Sequence, residues 1–210
     1  MTCRVVVLLS GRGSNFRAIA EAQLPIEIVA VISNRPQAAG LAYAREHGMT
    51  AVALDHTEHP DRAAFDALLA DEIQRHQPDL VVLAGYMRIL SPAFIARFEG
   101  RLLNIHPSLL PMFPGLNTHE RALAEGVKIH GCTVHFVTAD LDHGPIVIQA
   151  AVPVRADDTP GTLAARVLEQ EHRIYPRAIR WFAEGHLAIH QGRVNLKDDL
   201  TSQSVFSTGM

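Results

Sequence analysis

The sequence predicts an α/β fold, a doubly wound and mostly parallel sheet with antiparallel strands in its C-terminal part. Three observations carry this expectation. Short runs rich in Val, Ile and Leu are apolar at nearly every position, as strands are when helices cover both faces of a parallel sheet. Between them lie longer stretches whose apolar residues recur at helical spacing. In the last third the pattern changes to alternation, which marks strands with two unlike faces.

In chain order, "RVVVLL" (Arg4–Leu9) is the first strand, "IEIVAVIS" (Ile26–Ser33) the second and "MTAVAL" (Met49–Leu54) a weaker third. After Asp61, the residues Phe65, Leu68, Leu69 and Ile73 fall at i, i+3, i+4 and i+8 and form one helical stripe. "DLVVLAG" (Asp79–Gly85) is the fourth strand. Ser91 as N-cap and Pro92 at the first helical position open a helix over "SPAFIARF". "LLNIH" (Leu102–His106) is the fifth strand. "KIHGCTVHFVT" (Lys128–Thr138) alternates and forms an antiparallel pair with "PIVIQAAVPV" (Pro145–Val154) across the turn-rich "ADLDHG". A helix around Thr162–Tyr175, a second helix to about Glu184 and a short hairpin over "LAIHQGRVNL" follow. No linker or repeat interrupts the pattern, so residues 1–196 are expected to form one domain and residues 197–210 a polar, flexible tail.

Composition narrows the class. Of 210 residues, 48% are hydrophobic and 20% charged, enough apolar surface for one buried core. A net charge of −3 without a long basic stretch argues against an extended nucleic-acid surface and leaves room for a small anionic ligand. Cys3 and Cys132 are too few for a disulfide framework, and no C-x-x-C suggests zinc. His56 and His59 have Glu58 between them but no third ligand, so they read as loop residues. The apolar run near the N-terminus stops in a glycine turn after a few residues, too short for a signal peptide. No run approaches the roughly 18 apolar residues of a membrane helix. These features lead to the expectation of a soluble, cytoplasmic chain without metal.

Two stretches carry chemistry. "LLSGRGSN" (Leu8–Asn15) sets Gly11 and Gly13 between a strand and a helix, where backbone N–H groups and the positive helix end can meet an anion. The absence of Gly-Lys-Ser/Thr excludes a Walker A loop, and Phe16 breaks the dinucleotide fingerprint. The turn is therefore either a ligand-free βα connection or a cradle for a single phosphomonoester. In "RLLNIHPSLLPMFPG" (Arg101–Gly115), Asn104 and His106 lie two apart on a strand and project from one face at its carboxyl end. Pro107, Pro111 and Pro114 then restrain the loop beside them. An amide next to an imidazole suits a reaction in which an oxyanion forms. Asp142, in "DLDHGPI", is the best sequence candidate to orient the imidazole.

"LLNIHPSLLPMFPG", with "GYMRILS" upstream and "DLDHGPIVIQ" downstream, resembles the folate-dependent formyltransferases, over about Arg4 to Phe182. The resemblance implies a Rossmann-like fold of the formyltransferase type and Asn104, His106 and Asp142 as the catalytic set. "VLLSGRGSN" narrows it to the members that formylate the amine of glycinamide ribonucleotide with 10-formyltetrahydrofolate in purine (IMP) biosynthesis. It further implies ribotide contacts at Gly11, Arg12, Gly13, Ser14, Asn15 and Glu171, and folate contacts at Arg62, Met87, Arg88, Ile89, Leu90 and Asn104. No metal, nucleic acid or membrane is implied, and the chain would act as a monomer or homodimer. His143 stands where relatives often have Gly or Ala, and Asn117 where some have His; both bear on loop mobility rather than on the catalytic set. A formyltransferase acting on initiator tRNA would carry an extra basic domain, and a formyltetrahydrofolate hydrolase an N-terminal regulatory one. A non-catalytic nucleotide-binding module would leave the Asn–His–Asp set without a use.

Overall fold

The computed structural model describes residues 2–197 and 205–207. The chain divides into two compact units, Met1–Asn104 and Ile105–Met210. The division falls inside a strand, Leu102–His106, which is why no linker composition marks it in the sequence.

The first unit runs β1 (Cys3–Leu9), α1 (Ser14–Glu21), β2 (Ile26–Ser33), α2 (Ala39–Glu46), β3 (Ala51–Ala53), a 3₁₀ turn (His56–Glu58), α3 (Arg62–Arg75), β4 (Leu80–Leu83), α4 (Pro92–Arg97) and β5 (Leu102–His106). Every pairing in it is parallel: β1 lies between β2 and β4, β2 also pairs with β3, and β4 with β5. Val5 to Leu9 of β1 are fully buried on both faces, which explains why this run lacks alternation. The chain winds from β1 outward to β3, then returns to β4 on the other side of β1. The carboxyl ends of β1 and β4 therefore form a topological switch point, the usual place for ligands in such sheets. The third strand is shorter than its sequence pattern, and α2 is a helix that the apolar periodicity did not single out. Asp61 and Ser91 cap α3 and α4 by accepting from Ala64 N and Phe94 N.

The second unit holds α5 (Thr118–Ala124), β6 (Ile129–Phe136), β7 (Ile146–Pro153), α6 (Pro160–Ala183), β8 (Leu187–His190), β9 (Arg193–Leu196) and β10 (Val205–Ser207). β6 and β7 pair antiparallel as expected, with a register shift between Val134 and His135. β8 and β9 form the small hairpin. Of the C-terminal tail, Val205–Ser207 add a strand parallel to β7, while 198–204 and 208–210 lie outside the described residues.

The expected pair of helices between Thr162 and Glu184 is one helix with Pro176 inside it. Its buried stripe, Val167, Gln170, Glu171, Ile174, Ala178, Ile179 and Trp181, continues past the proline. Packing of that stripe on β6 and β7 outweighs the roughly 3 kcal/mol that an interior proline costs. Cys3 on β1 and Cys132 on β6 are both buried and free. Burial, with the Asp79 charge adding to it, pushes the Cys3 thiol up to about 11. Cys132 is pushed up further by deeper burial and by the charge of Glu171.

Candidate active site

At the switch point, Gly13 holds φ +75° at the N-cap of α1, and no side chain caps that helix. A Cβ on Gly13 would come within 3.0 Å of Gly40 Cα, and one on Gly40 within 2.6 Å of a Leu9 methyl, so the turn packs against the start of α2 only because both are glycine. Gly40 N donates to Gly11 O at 3.1 Å, which fixes the turn. Gly11 and Arg12 are exposed, Ser14 is half-buried and Asn15 is buried. The positive end of the α1 dipole lies at this turn, where an anion is favoured.

The segment Gly85–Leu90 follows β4 without regular secondary structure. Met87 and Ile89 expose 62% and 58% of their surface while Leu90 is buried, so the strip presents an apolar outer face. Side chains from elsewhere in the unit pin it. Met87 N donates to Ser10 Oγ at 2.8 Å, and Ser91 N donates to Asp66 Oδ2 at 2.6 Å. The Arg88 guanidinium lies 4.8 Å over the Phe65 ring, a cation–π contact. Arg62 is exposed at the first position of α3, where a positive charge works against the helix dipole.

Asn104 and His106 sit on β5, Asn104 half-buried and in register with Leu83 of β4. In the second unit, His106 Nδ1 lies 3.5 Å from Asp142 Oδ2, with both side chains more than nine-tenths buried. The structure thus brings His106 and Asp142 together. Asp142 Oδ2 also accepts from Gly115 N at 2.8 Å. The other ring nitrogen, Nε2, is 3.0 Å from the Phe113 carbonyl, so it carries the proton and donates there. The Pro107–Gly115 loop is fastened to the β6–β7 pair: Thr133 Oγ1 donates to Ser108 O at 2.7 Å and accepts from Leu110 N at 3.0 Å, and Gln149 Nε2 donates to Leu110 O at 2.9 Å.

Sequence reasoning missed His135. Its Nε2 stands 3.8 Å from Asp142 Oδ1, too far for a direct hydrogen bond, and its Nδ1 donates to Phe136 O at 3.0 Å. Burial pushes the His135 imidazole down, against the pull of Asp142. On β6, His135 lies two residues from Thr133, which fastens the His106 loop, a placement that shows only once the strand is laid beside that loop. Further along, His130 and His119 meet edge to face with ring centroids 5.2 Å apart. Burial brings His130 down to about 4, with the neighbouring His119 adding to the effect, and burial also lowers His119.

The second unit opens a cavity of about 530 Å³ lined by Pro114, Gly115, Ala139, Asp140, Leu141 and His143, within the size range of small-molecule sites. His143 is held locally, its Nδ1 2.6 Å from Leu141 O. Asn117 occupies the left-handed region (φ +56°) at the start of α5, a conformation Asn tolerates better than most residues. Glu171 is buried on α6. Among the described residues, no group of three or more His, Cys, Asp or Glu is placed to hold a metal ion, and no helix is long and apolar enough to cross a membrane.

The sequence from residue 3 to 179 matches the family model described as formyl transferase. The chain belongs to the formyl transferase family. It is 51% identical to the phosphoribosylglycinamide formyltransferase of Escherichia coli (strain K12) over 191 residues, 89% of this chain and 90% of that one. Among solved structures, glycinamide ribonucleotide transformylase 1 from Symbiobacterium toebii superposes with a TM-score of 0.91 at 51% identity, covering 94% of this chain and 95% of that one. The Coxiella burnetii phosphoribosylglycinamide formyltransferase, solved in complex with CHES, gives 0.92 at 46% identity over 100% of both chains. A mostly parallel sheet with antiparallel strands towards the C-terminus is the architecture this formyl transferase shares with them.

Proposed function

We propose that the chain transfers the formyl group of 10-formyltetrahydrofolate to the primary amine of glycinamide ribonucleotide, the formyl transfer of de novo purine biosynthesis, in the cytoplasm. The observation that carries this reading is the buried His106–Asp142 pair beside Asn104 on one strand end, in a chain 51% identical to a relative bearing that name.

The neutral amine adds to the formyl carbon, and the formyl oxygen becomes negative. Asn104 donates a hydrogen bond to that oxygen, His106 turns its Nε2–H from the Phe113 carbonyl to it, and Asp142 holds the imidazole in place from its Nδ1 side. The carbon–N10 bond then breaks as the proton lost by the amine passes to N10, with Asp142 assisting through water. Orientation of two bound substrates contributes the rest. Ribotide binding is assigned to Gly11–Asn15, whose N–H groups and side chains fit a phosphomonoester, and to Glu171, whose carboxylate suits a cationic or hydroxylated partner. Folate binding is assigned to Arg62, to the apolar strip Met87–Leu90, and to Asn104. The exposed Met87 and Ile89 side chains suit a flat heterocycle, and Arg62 suits a carboxylate.

Incubation of the protein with both substrates, followed by detection of the formylated ribotide, tests the reading, with an acceptor-free control to separate transfer from hydrolysis. Turnover is expected only with the ribotide present. His106→Ala is expected to lower kcat roughly 100- to 1,000-fold, the usual loss of one oxyanion donor. Near-normal turnover by a folded His106→Ala protein would remove His106 from the mechanism.

A further inference from the structure

We propose that Ser10 is a positioning residue, which ties the glycine turn to the Met87–Leu90 strip and so sets the placement of the folate. This rests on the assignment of those two segments to the two substrates. Ser10 is the residue between β1 and Gly11 and is only 3% exposed. Its N–H donates to Gly85 O at 3.0 Å. Its hydroxyl accepts from Met87 N at 2.8 Å and donates to Asn34 Oδ1 at 2.5 Å. The hydroxyl is thus committed as donor and as acceptor inside the protein, and its role towards a ligand is indirect.

The contacts continue and close on themselves. Asn34 is 2% exposed, and its carbonyl accepts from His56 Nδ1 at 2.8 Å. That bond fixes the proton on Nδ1, so the 3.4 Å approach of Asn34 Nδ2 to the same atom is a contact between two donors. His56 meets the Phe65 ring edge to face at 6.3 Å, and Phe65 carries the Arg88 guanidinium. From Arg88 the strip leads back to Met87 and Ser10. An irregular segment with exposed apolar side chains would wander unless its N–H groups found fixed acceptors. Asp66 supplies one at Ser91, and Ser10 supplies the other from the turn that takes the ribotide.

Removing the hydroxyl leaves Met87 N without its acceptor and Asn34 Oδ1 without its donor. In Ser10→Ala, KM for 10-formyltetrahydrofolate is expected to rise about tenfold and KM for the ribotide about two- to threefold, with kcat within about twofold of wild type. A purely structural role would lower the active fraction and melting temperature and leave both KM values in place; that result overturns the proposal. A second readout needs no variant. Hydrogen exchange at the Met87 amide of the intact protein is expected to slow at least about threefold when glycinamide ribonucleotide alone is bound, because a steadied turn steadies the Ser10 acceptor. Unchanged exchange with bound ribotide sinks the idea even if Ser10→Ala does not fold. Wild-type turnover is the control: its absence would count against the formyl-transfer reading, whereas normal turnover with unaltered KM values in Ser10→Ala removes Ser10 alone.

Discussion

Asp142 holds φ +55°, a left-handed conformation that disfavours a side chain, and does so while its carboxylate faces His106 and Gly115 N. Backbone cost and side-chain role can therefore be separated at one position. Asp142→Gly relaxes the backbone and removes the carboxylate, so it is expected to keep or slightly raise the melting temperature while turnover falls at least about 100-fold. Circular dichroism melts alongside the transfer assay check this, and a large loss of stability would show that the carboxylate mainly holds the loop. Asn104, His106 and Asp142 were legible in the sequence because strand period and proline punctuation set the first two apart. His135 was not, since it is one of 12 histidines and nothing local marks it until β6 is laid beside the His106 loop. Ser10 was equally silent: only the fold brings Met87 N to its hydroxyl.

At the scale of elements, α6 shows where local rules yield. Pro176 would end a helix by propensity, yet the apolar stripe on either side of it is continuous and buried, and the helix runs on. Its start is well anchored: Thr159 and Thr162 form a reciprocal capping box, and Asp158 makes a two-pronged pair with Arg166 at 2.8 Å. Thr159→Ala is expected to cost about 1 kcal/mol, or roughly 2–4 °C in Tm, with the kinetic constants unchanged. A shift in KM accompanying that small loss would mean that the N-terminal turn of α6 reaches the chemistry. The parallel strands were readable from their unbroken apolar runs, since burial on both faces erases alternation. β10 was not readable: three residues in a polar tail acquire strand character only by pairing with β7.

For the whole molecule, the histidines set an acid limit. His130 is kept neutral to about 4, while in the unfolded chain it takes a proton near 6.5. Between those values the unfolded state binds more protons, so stability is full above about 6.5 and declines as pH falls towards 4. His119 and His135, shifted the same way, add to the slope. Urea midpoints at pH 7.5 and 5 are expected to differ accordingly, and His130→Gln to flatten the dependence; a pH-independent midpoint would mean that these rings are not held neutral. The division into two units is invisible in the sequence because it cuts through β5, but the thiols give access to it. Cys3 belongs to one unit and Cys132 to the other, and both are sheltered and mostly protonated at neutral pH. The native protein should therefore ignore iodoacetamide, and each thiol becomes alkylated only when its own unit opens. Peptide mapping of the two adducts then times the units separately: equal rates describe one cooperative opening, and unequal rates give each unit its own lifetime.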